Sequence, residues 1–285
     1  MRVAVLGASG FLGRHVVPAL VHGGHQVVAV ARNAGRPTDN VTWLPCDVLE
    51  PSLEHALRGV DAVVNLVGIH HGHGKQSFEA MHVELARRLI QAMQHQGVER
   101  LLHLSVLCAR PDPVLAYHDS KHRGDALIMA SDRAWTVLRP AIVYGADDGF
   151  TTRLRQQIDL RVAPIPGKGD ANHAPVHADD VAQAVERSLA SPKSVRKVVP
   201  LCGLRTLTYT ALVRELVERS GHGCWTPHIP LPLLRFVARS TAWMANPPIS
   251  LGQLTMIQEG MAQNTRESWE LLGLEPRGFH AGHLA

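Results

Sequence analysis

The chain has 285 residues, 45% hydrophobic and 19% charged, with 24 glycines and 18 prolines. This composition excludes a disordered chain and a collagen-like or low-complexity one, and the length suits one large α/β unit carrying a smaller lobe. The net charge is +4, and without any run of about five or six like charges a nucleic-acid-binding arm is excluded.

No apolar stretch reaches the roughly 18 residues of a membrane span. The first apolar run ends at Gly7, so no secretory leader is expected. Four widely spaced cysteines, Cys46, Cys108, Cys202 and Cys224, suggest neither a disulfide framework nor a thiolate metal site, and a cytoplasmic location is the default expectation. Charge is uneven: from Phe150 to Arg239 there are 13 Lys/Arg against 7 Asp/Glu. A lobe of that kind faces something anionic, whether a substrate, a phosphate or a membrane surface.

In chain order, Arg2–Leu6 is a β-branched run that predicts a buried strand, and residues 11–22 carry apolar residues at helical spacing before Gly23 and Gly24. Further strands are predicted at 26–31, 41–44, 62–67, 101–106 and 135–138. Helices are predicted near 53–57, 77–96, 115–130 and 150–160. Strands with little polar alternation, separated by helices, mean a parallel sheet covered on both faces and doubly wound. Residues 1–145 are assigned to a dinucleotide-binding domain, and 146–285 to a segment that completes the sheet and forms a small substrate lobe. Ahead of DVAQAVERSLA, Asp179 reads as a helix N-cap.

Gly7, Gly10 and Gly13 lie in VAVLGASGFLGRHV, between the first strand and the first helix. The first glycine permits a tight turn, the second lets backbone N–H groups approach a pyrophosphate, and the third lets helix and strand pack closely. NAD enzymes place an acidic residue about 20 positions later, on the ribose 2′-hydroxyl. Here the second strand is followed by Arg32, with Arg36 beyond; a guanidinium forks onto a 2′-phosphate, so NADP(H) is expected over NAD(H). Asp47 after the third strand is placed either to accept from the adenine amino group or to cap its own turn. Asn65 and Gly68 end the fourth strand, where backbone passes close to the cofactor or simply turns.

Tyr117 and Lys121 form a YxxxK pair, four apart on one helix face. A free tyrosine ionises near pH 10, so the neighbouring ammonium is expected to lower its pKa into a usable range. Ser105 ends the fifth strand, where its hydroxyl either polarises a substrate oxygen or bonds to backbone.

With these residues in hand, the chain resembles the extended and atypical short-chain dehydrogenase/reductases: GASGFLG, Asp47, YHDSK, LRPAIVYG and PVHADDVA fall in that superfamily's order. The later PLPLLRFVARSTAWMANPPISLGQL looks most like the subgroup related to the short-chain-dehydrogenase-like accessory subunit of respiratory complex I, whose bacterial members are NAD(P)-binding and epimerase-like. The resemblance implies a Rossmann domain with bound NADP(H). It implies cofactor contacts from Gly7, Ser9, Gly10, Phe11, Leu12 and Gly13 in the turn, then Arg32, Arg36, Asp47, Val48 and Gly68, and last Tyr117, Lys121, Pro140 and Val143. Catalysis falls to Tyr117, Lys121 and Ser105. Arg139 and Pro140, with Tyr144 and Gly145, are expected to border the nicotinamide and the lobe entrance, and His177, Asp179 and Asp180 to be structural. Two departures bear on turnover more than on binding. His82 stands where the family has a relay asparagine, and Val106 and Leu107 follow Ser105 where relatives carry a second hydroxyl.

His70, His71 and His73 lack a Cys or carboxylate at metal-ligand spacing, so no metal is expected. Residues 231–244 read as a basic amphipathic helix, more often packed apolar side down in a lobe, otherwise lying on a membrane or a partner. The leading reading is an NADPH-dependent oxidoreductase acting on a small-molecule carbonyl, hydroxyl or quinone. The alternatives are a non-catalytic NADP(H)-binding assembly protein and a nucleotide-sugar epimerase or dehydratase.

Overall fold

Six apolar runs in the first half of the chain become parallel strands: β1 (Arg2–Leu6), β2 (Gln26–Ala31), β3 (Val41–Pro45), β4 (Ala62–Asn65), β5 (Arg100–Leu104) and β6 (Ala134–Pro140). The computed structural model describes residues 1–285 apart from 34, 71, 73–76, 242, 245–248 and 285. A seventh strand, Lys197–Leu201, pairs with β6, and the order across the sheet is β3-β2-β1-β4-β5-β6 followed by that strand. Every neighbouring pair in this sheet is parallel. This is the doubly wound Rossmann arrangement, whose strand order reverses between β1 and β4 and opens a crevice at the strands' carboxyl ends.

The sheet's apolar runs are buried on both faces. Ala4 and Leu6 of β1 join a core with Leu85, Leu89 and Met93, while Val3 and Val5 are equally buried on the other face. Helix α1 (Phe11–His22) packs against the helix Ala178–Ala190, and α2 (Ser52–Ala56), α3 (Leu85–Gln96) and α4 (Ala116–Ala130) pack in succession. The helix expected over 77–96 opens differently: Glu79–Glu84 is a π-helical turn that leads into α3. Gly124 of α4 faces it so closely that a Cβ there would stand 2.3 Å from the His82 carbonyl oxygen.

The chain divides into two units that interleave along the sequence. The first comprises Met1–Pro140, Ala178–Leu201 and Arg266–Glu275, and the second Ala141–His177, Cys202–Thr265 and Pro276–Ala285. The second unit has its own core of Tyr144, Leu154, Ile158, Tyr209, Leu212 and Phe279. Short strand pairs brace it, Val143–Tyr144 with Val176–His177 among them. Tyr144, expected near an entrance, is instead interior to this unit: its hydroxyl donates to the Gly278 carbonyl at 3.2 Å and its ring packs on Phe279.

Asp179 is not an N-cap. The helix begins one residue earlier, at Ala178, and the Asp179 carboxylate meets His15 Nδ1 of α1 at 2.7 Å. None of the four cysteines forms a disulfide.

Candidate active site

The glycine turn follows directly from β1. Gly7 has φ +81°, a left-handed conformation that suits glycine, and the N–H groups of Gly7 and Ala8 donate to the Val30 carbonyl of β2. Gly10 is the N-cap of α1 and supplies no side-chain cap. The first-turn N–H groups of Phe11, Leu12 and Gly13 therefore have no acceptor within the helix, which is the chemistry of an anion cradle. A Cβ on Gly13 would lie 2.2 Å from the Ala8 carbonyl oxygen, so this position tolerates only glycine and brings α1 hard against the turn. These features fit a dinucleotide pyrophosphate. Ser9 and Gly10 are exposed in the same turn, and Arg32 and Arg36 are exposed after β2. Asp47 Oδ1 accepts from the Leu49 N–H at 3.0 Å, so the carboxylate braces its own turn, and Val48 beside it is buried.

The loop after β4 ties this turn to the YxxxK helix. Gly7 lies against Leu66 and Val67, and a Cβ on Gly68 would sit 3.2 Å from Lys121 Nζ. Lys121 Nζ donates to the Leu104 carbonyl at the end of β5, 3.3 Å away. Glycine turn, Gly68 and Lys121 are thus contiguous at the carboxyl ends of β1, β4 and β5. Pro140 ends β6, and its carbonyl accepts from Leu107 N–H at 2.9 Å. Val143 falls in the second unit, paired with Val176.

Asp112 fixes the chain ahead of α4, its Oδ1 accepting from the N–H groups of Val114 and Leu115 at 2.9 Å each. Tyr117 then emerges in the helix's first turn. It is 6% exposed and is ringed by His70, Phe78 and His82 at centroid distances of 5.5 to 5.8 Å. The expected lowering of its pKa is not observed. Burial, reinforced by Cys108, pushes the phenol well above its ordinary value. Lys121, 5% exposed, is shifted down by burial, against which Asp125 and Cys108 act to raise it.

His82 has both ring nitrogens engaged. Ile69 N–H donates to its Nε2 at 3.4 Å, which leaves the proton on Nδ1, and Nδ1 meets Ser120 Oγ at 2.9 Å. Ser120 in turn donates to the Tyr117 carbonyl, so the neutral ring clamps the first turn of α4. Burial first, then Lys121, His103 and His70, lower its pKa to about 2, with Asp125 opposing. An unfolded histidine takes up a proton below 6.5, whereas His82 in the fold does so only near 2. Stability should therefore fall as pH drops through that window, by up to about 1.4 kcal/mol per pH unit. Urea unfolding at stepped pH should give His82→Gln a shallower slope than the parent, with His25, His103 and His173, also shifted down by burial, and the paired Asp125 supplying the slope that remains.

Behind Lys121 lies a polar cluster that sequence reasoning missed. Asp125 of α4 is 0% exposed. Its Oδ2 accepts from Ser105 Oγ at 2.8 Å and from Arg139 Nε and a terminal Arg139 nitrogen at 2.9 and 2.7 Å. His103 Nε2 stands 3.4 Å from its Oδ1, and Asn65 donates to His103 Nδ1 at 3.1 Å. Burial works to raise the Asp125 pKa, but His103, Arg139 and Ser105 together hold it below the usual value. Ser105 and Arg139, expected at substrate and nicotinamide, thus have their hydrogen-bonding groups turned to Asp125. The signal was available: Asp125 follows Lys121 by four residues, on the same helix face.

A family profile described as NAD(P)H-binding matches residues 7–192. The chain belongs to that NAD(P)H-binding family. Among curated proteins, it is 29% identical over 225 residues to the NADH-ubiquinone oxidoreductase 40 kDa subunit of Neurospora crassa, a match covering 75% of this chain but 59% of that longer one. It is 24% identical to the photosystem II assembly factor Ycf39 of Synechocystis, covering 97% of this chain and 87% of the relative. With the ceramide reductase of Caulobacter vibrioides the identity is 28%, over 88% and 81% of the two chains. Among solved structures, MoeE5 in complex with UDP-glucose and NAD superposes with a TM-score of 0.78 at 21% identity, covering 99% of this chain and 96% of that one. That likeness bears out the Rossmann fold. Among the described residues, no group of three His, Cys, Asp or Glu could hold a metal; His71 and His73 lie outside them. No helix among the described residues is long and apolar enough to cross a membrane.

Proposed function

We propose that the chain is an NAD(P)(H)-dependent oxidoreductase that reduces a carbonyl, or a quinone-type oxygen, of a small molecule. The observation that carries this reading is the contiguity of the glycine turn, Gly68 and the Lys121 ammonium at one end of adjacent strands. When bound, the dinucleotide supplies the hydride. The α1 N-terminus and glycine turn hold its diphosphate, and Lys121 reaches the ribose on the nicotinamide side. Arg32 and Arg36, exposed after β2, pair with a 2′-phosphate and give the preference for NADPH.

Tyr117 gives the reading a direction. Burial keeps the phenol protonated, so it serves as the acid that delivers a proton to the substrate oxygen as the carbon is reduced. Ser105 contributes only when its hydroxyl turns from Asp125 toward that oxygen. Tyr117→Phe should lower kcat by at least about 100-fold, in line with the general-acid range, with NADPH affinity unchanged, and Ser105→Ala should cost less. Retention of full reductase activity on a carbonyl and quinone panel by Tyr117→Phe would remove the assignment. Arg32→Ala should weaken NADPH by about tenfold, roughly 1.4 kcal/mol, and leave NADH unaffected, as read by titration of nicotinamide fluorescence.

A second reading is supported by the same cluster. With the Ser105 hydroxyl held by Asp125 and both His82 nitrogens engaged, an assembly protein that binds the dinucleotide without turnover accounts for the geometry, and two of the relatives are a respiratory-enzyme subunit and an assembly factor. Steady turnover with any member of the panel eliminates it.

A further inference from the structure

The helix Leu231–Ser240 in the second unit turns two large apolar side chains, Leu233 and Phe236, outward. The sequence favours packing of its apolar side, yet only Ala238 is fully buried, with Leu231, Leu234 and Val237 half-buried beside it. At about 100° per residue, the six exposed positions Pro232, Leu233, Arg235, Phe236, Arg239 and Ser240 fall in one continuous arc of about 160°. Leu233 is 54% and Phe236 67% exposed, and Trp243, in the turn that follows, is 82% exposed. Arg239 and Arg235 lie together on one flank of that arc. The opposite side of the helix packs on the helix Leu251–Glu259. Between Glu218 and Glu259 the chain has no acidic residue at all.

We propose that this helix and the Trp243 turn form a docking face for a bilayer containing anionic lipid. An outward stripe of Leu and Phe, a Trp at its end and arginines on the flank match a helix lying in the membrane interface, where rings enter the headgroup boundary and guanidiniums meet phosphates. Pairing of the face with a second copy is disfavoured on charge. A two-fold contact sets Arg235 and Arg239 of one copy against those of the other, and the 40-residue stretch around them offers no carboxylate to separate them. Lipid phosphates satisfy both arginines and leave the aromatic rings to the acyl boundary.

The test is co-sedimentation of the full chain with vesicles of phosphatidylcholine alone and of phosphatidylcholine with a quarter phosphatidylglycerol. Binding is expected only to the second and should weaken as salt rises. Arg235→Glu with Arg239→Glu should lower it by at least about 25-fold, and Phe236→Ser with Trp243→Ser by at least about tenfold, at unchanged melting temperature and NADPH affinity. Brominated lipid should quench the parent's fluorescence and quench Trp243→Phe less. Equal binding to neutral vesicles, binding to neither, or a dimer in light scattering that Phe236→Ser dissociates would each overturn the proposal. Loss of vesicle binding only in variants with lowered melting temperatures would overturn it too, since the face itself would then be immaterial.

Discussion

Replacing Asp125 with alanine is expected to lower the unfolding free energy by about 3–5 kcal/mol, the range for removing one partner of a buried ion pair. The carboxylate has no exposure, and one of its oxygens receives Ser105 and two nitrogens of Arg139. Its removal leaves a guanidinium without a counter-charge and a buried hydroxyl without an acceptor. Against a total stability of about 5–15 kcal/mol, this is a large fraction of what holds the first unit folded. Adding Arg139→Met removes the orphaned charge, so the double variant should be more stable than the sum of the two single losses implies. Denaturant unfolding of the three variants reads the coupling directly, and a loss below about 1 kcal/mol for Asp125→Ala would show that the pair contributes little. The milder Asp125→Asn bears on chemistry. Asp125 raises the Lys121 pKa against the burial that lowers it, so any alkaline limb of turnover that reports the ammonium should move to lower pH.

The difference between what could and could not be read from the sequence follows the range of the interactions. The glycine turn was legible because its causes are local: a strand, three glycines at fixed spacing and a helix start, all within Arg2–His22. The sheet was legible because a strand covered on both faces must be apolar throughout. Asp125 escaped because its meaning comes from Asn65, His103, Ser105 and Arg139, supplied by four other points along the chain. The Tyr117 pKa was misjudged for the same reason. The pair Tyr117–Lys121 is local, but the phenol is buried among His70, Phe78 and His82, and desolvation there outweighs a neighbouring cation. An N-cap at Asp179 places the helix start at Asp180, two residues later than the observed Ala178, and the partner of Asp179, His15, lies 164 residues away. For Leu231–Ser240, periodicity established an amphipathic helix, but which side faced inward depended on the Leu251–Glu259 helix beneath it.

Gly13→Val should abolish dinucleotide binding more completely than any other change in the turn. The Cβ it adds would stand 2.2 Å from the Ala8 carbonyl oxygen, 2.5 Å from the Ala8 carbonyl carbon and 2.6 Å from the Gly7 oxygen. These are backbone atoms, and the turn that carries them is pinned to β2 through the Val30 carbonyl, so no flexible side chain can move aside. Either α1 retreats from β1, which separates the first-turn N–H groups from the turn, or the turn itself opens; both dismantle the cradle. The expected outcome is at least a 100-fold loss of affinity for NADPH and NADH alike, about 2.7 kcal/mol, together with about 1–3 kcal/mol of lost stability from overpacking. Gly10→Ala is the internal comparison, because its Cβ meets only the Gly7 oxygen, at 3.2 Å, and a shift of a few tenths of an ångström relieves it. Calorimetric titration should rank Gly13→Val well below Gly10→Ala, whose methyl crowds the diphosphate but leaves the turn and α1 in place. Unimpaired binding by a folded Gly13→Val protein would mean that the diphosphate is held elsewhere, and the roles of Gly68 and Lys121 beside the turn would fall with it.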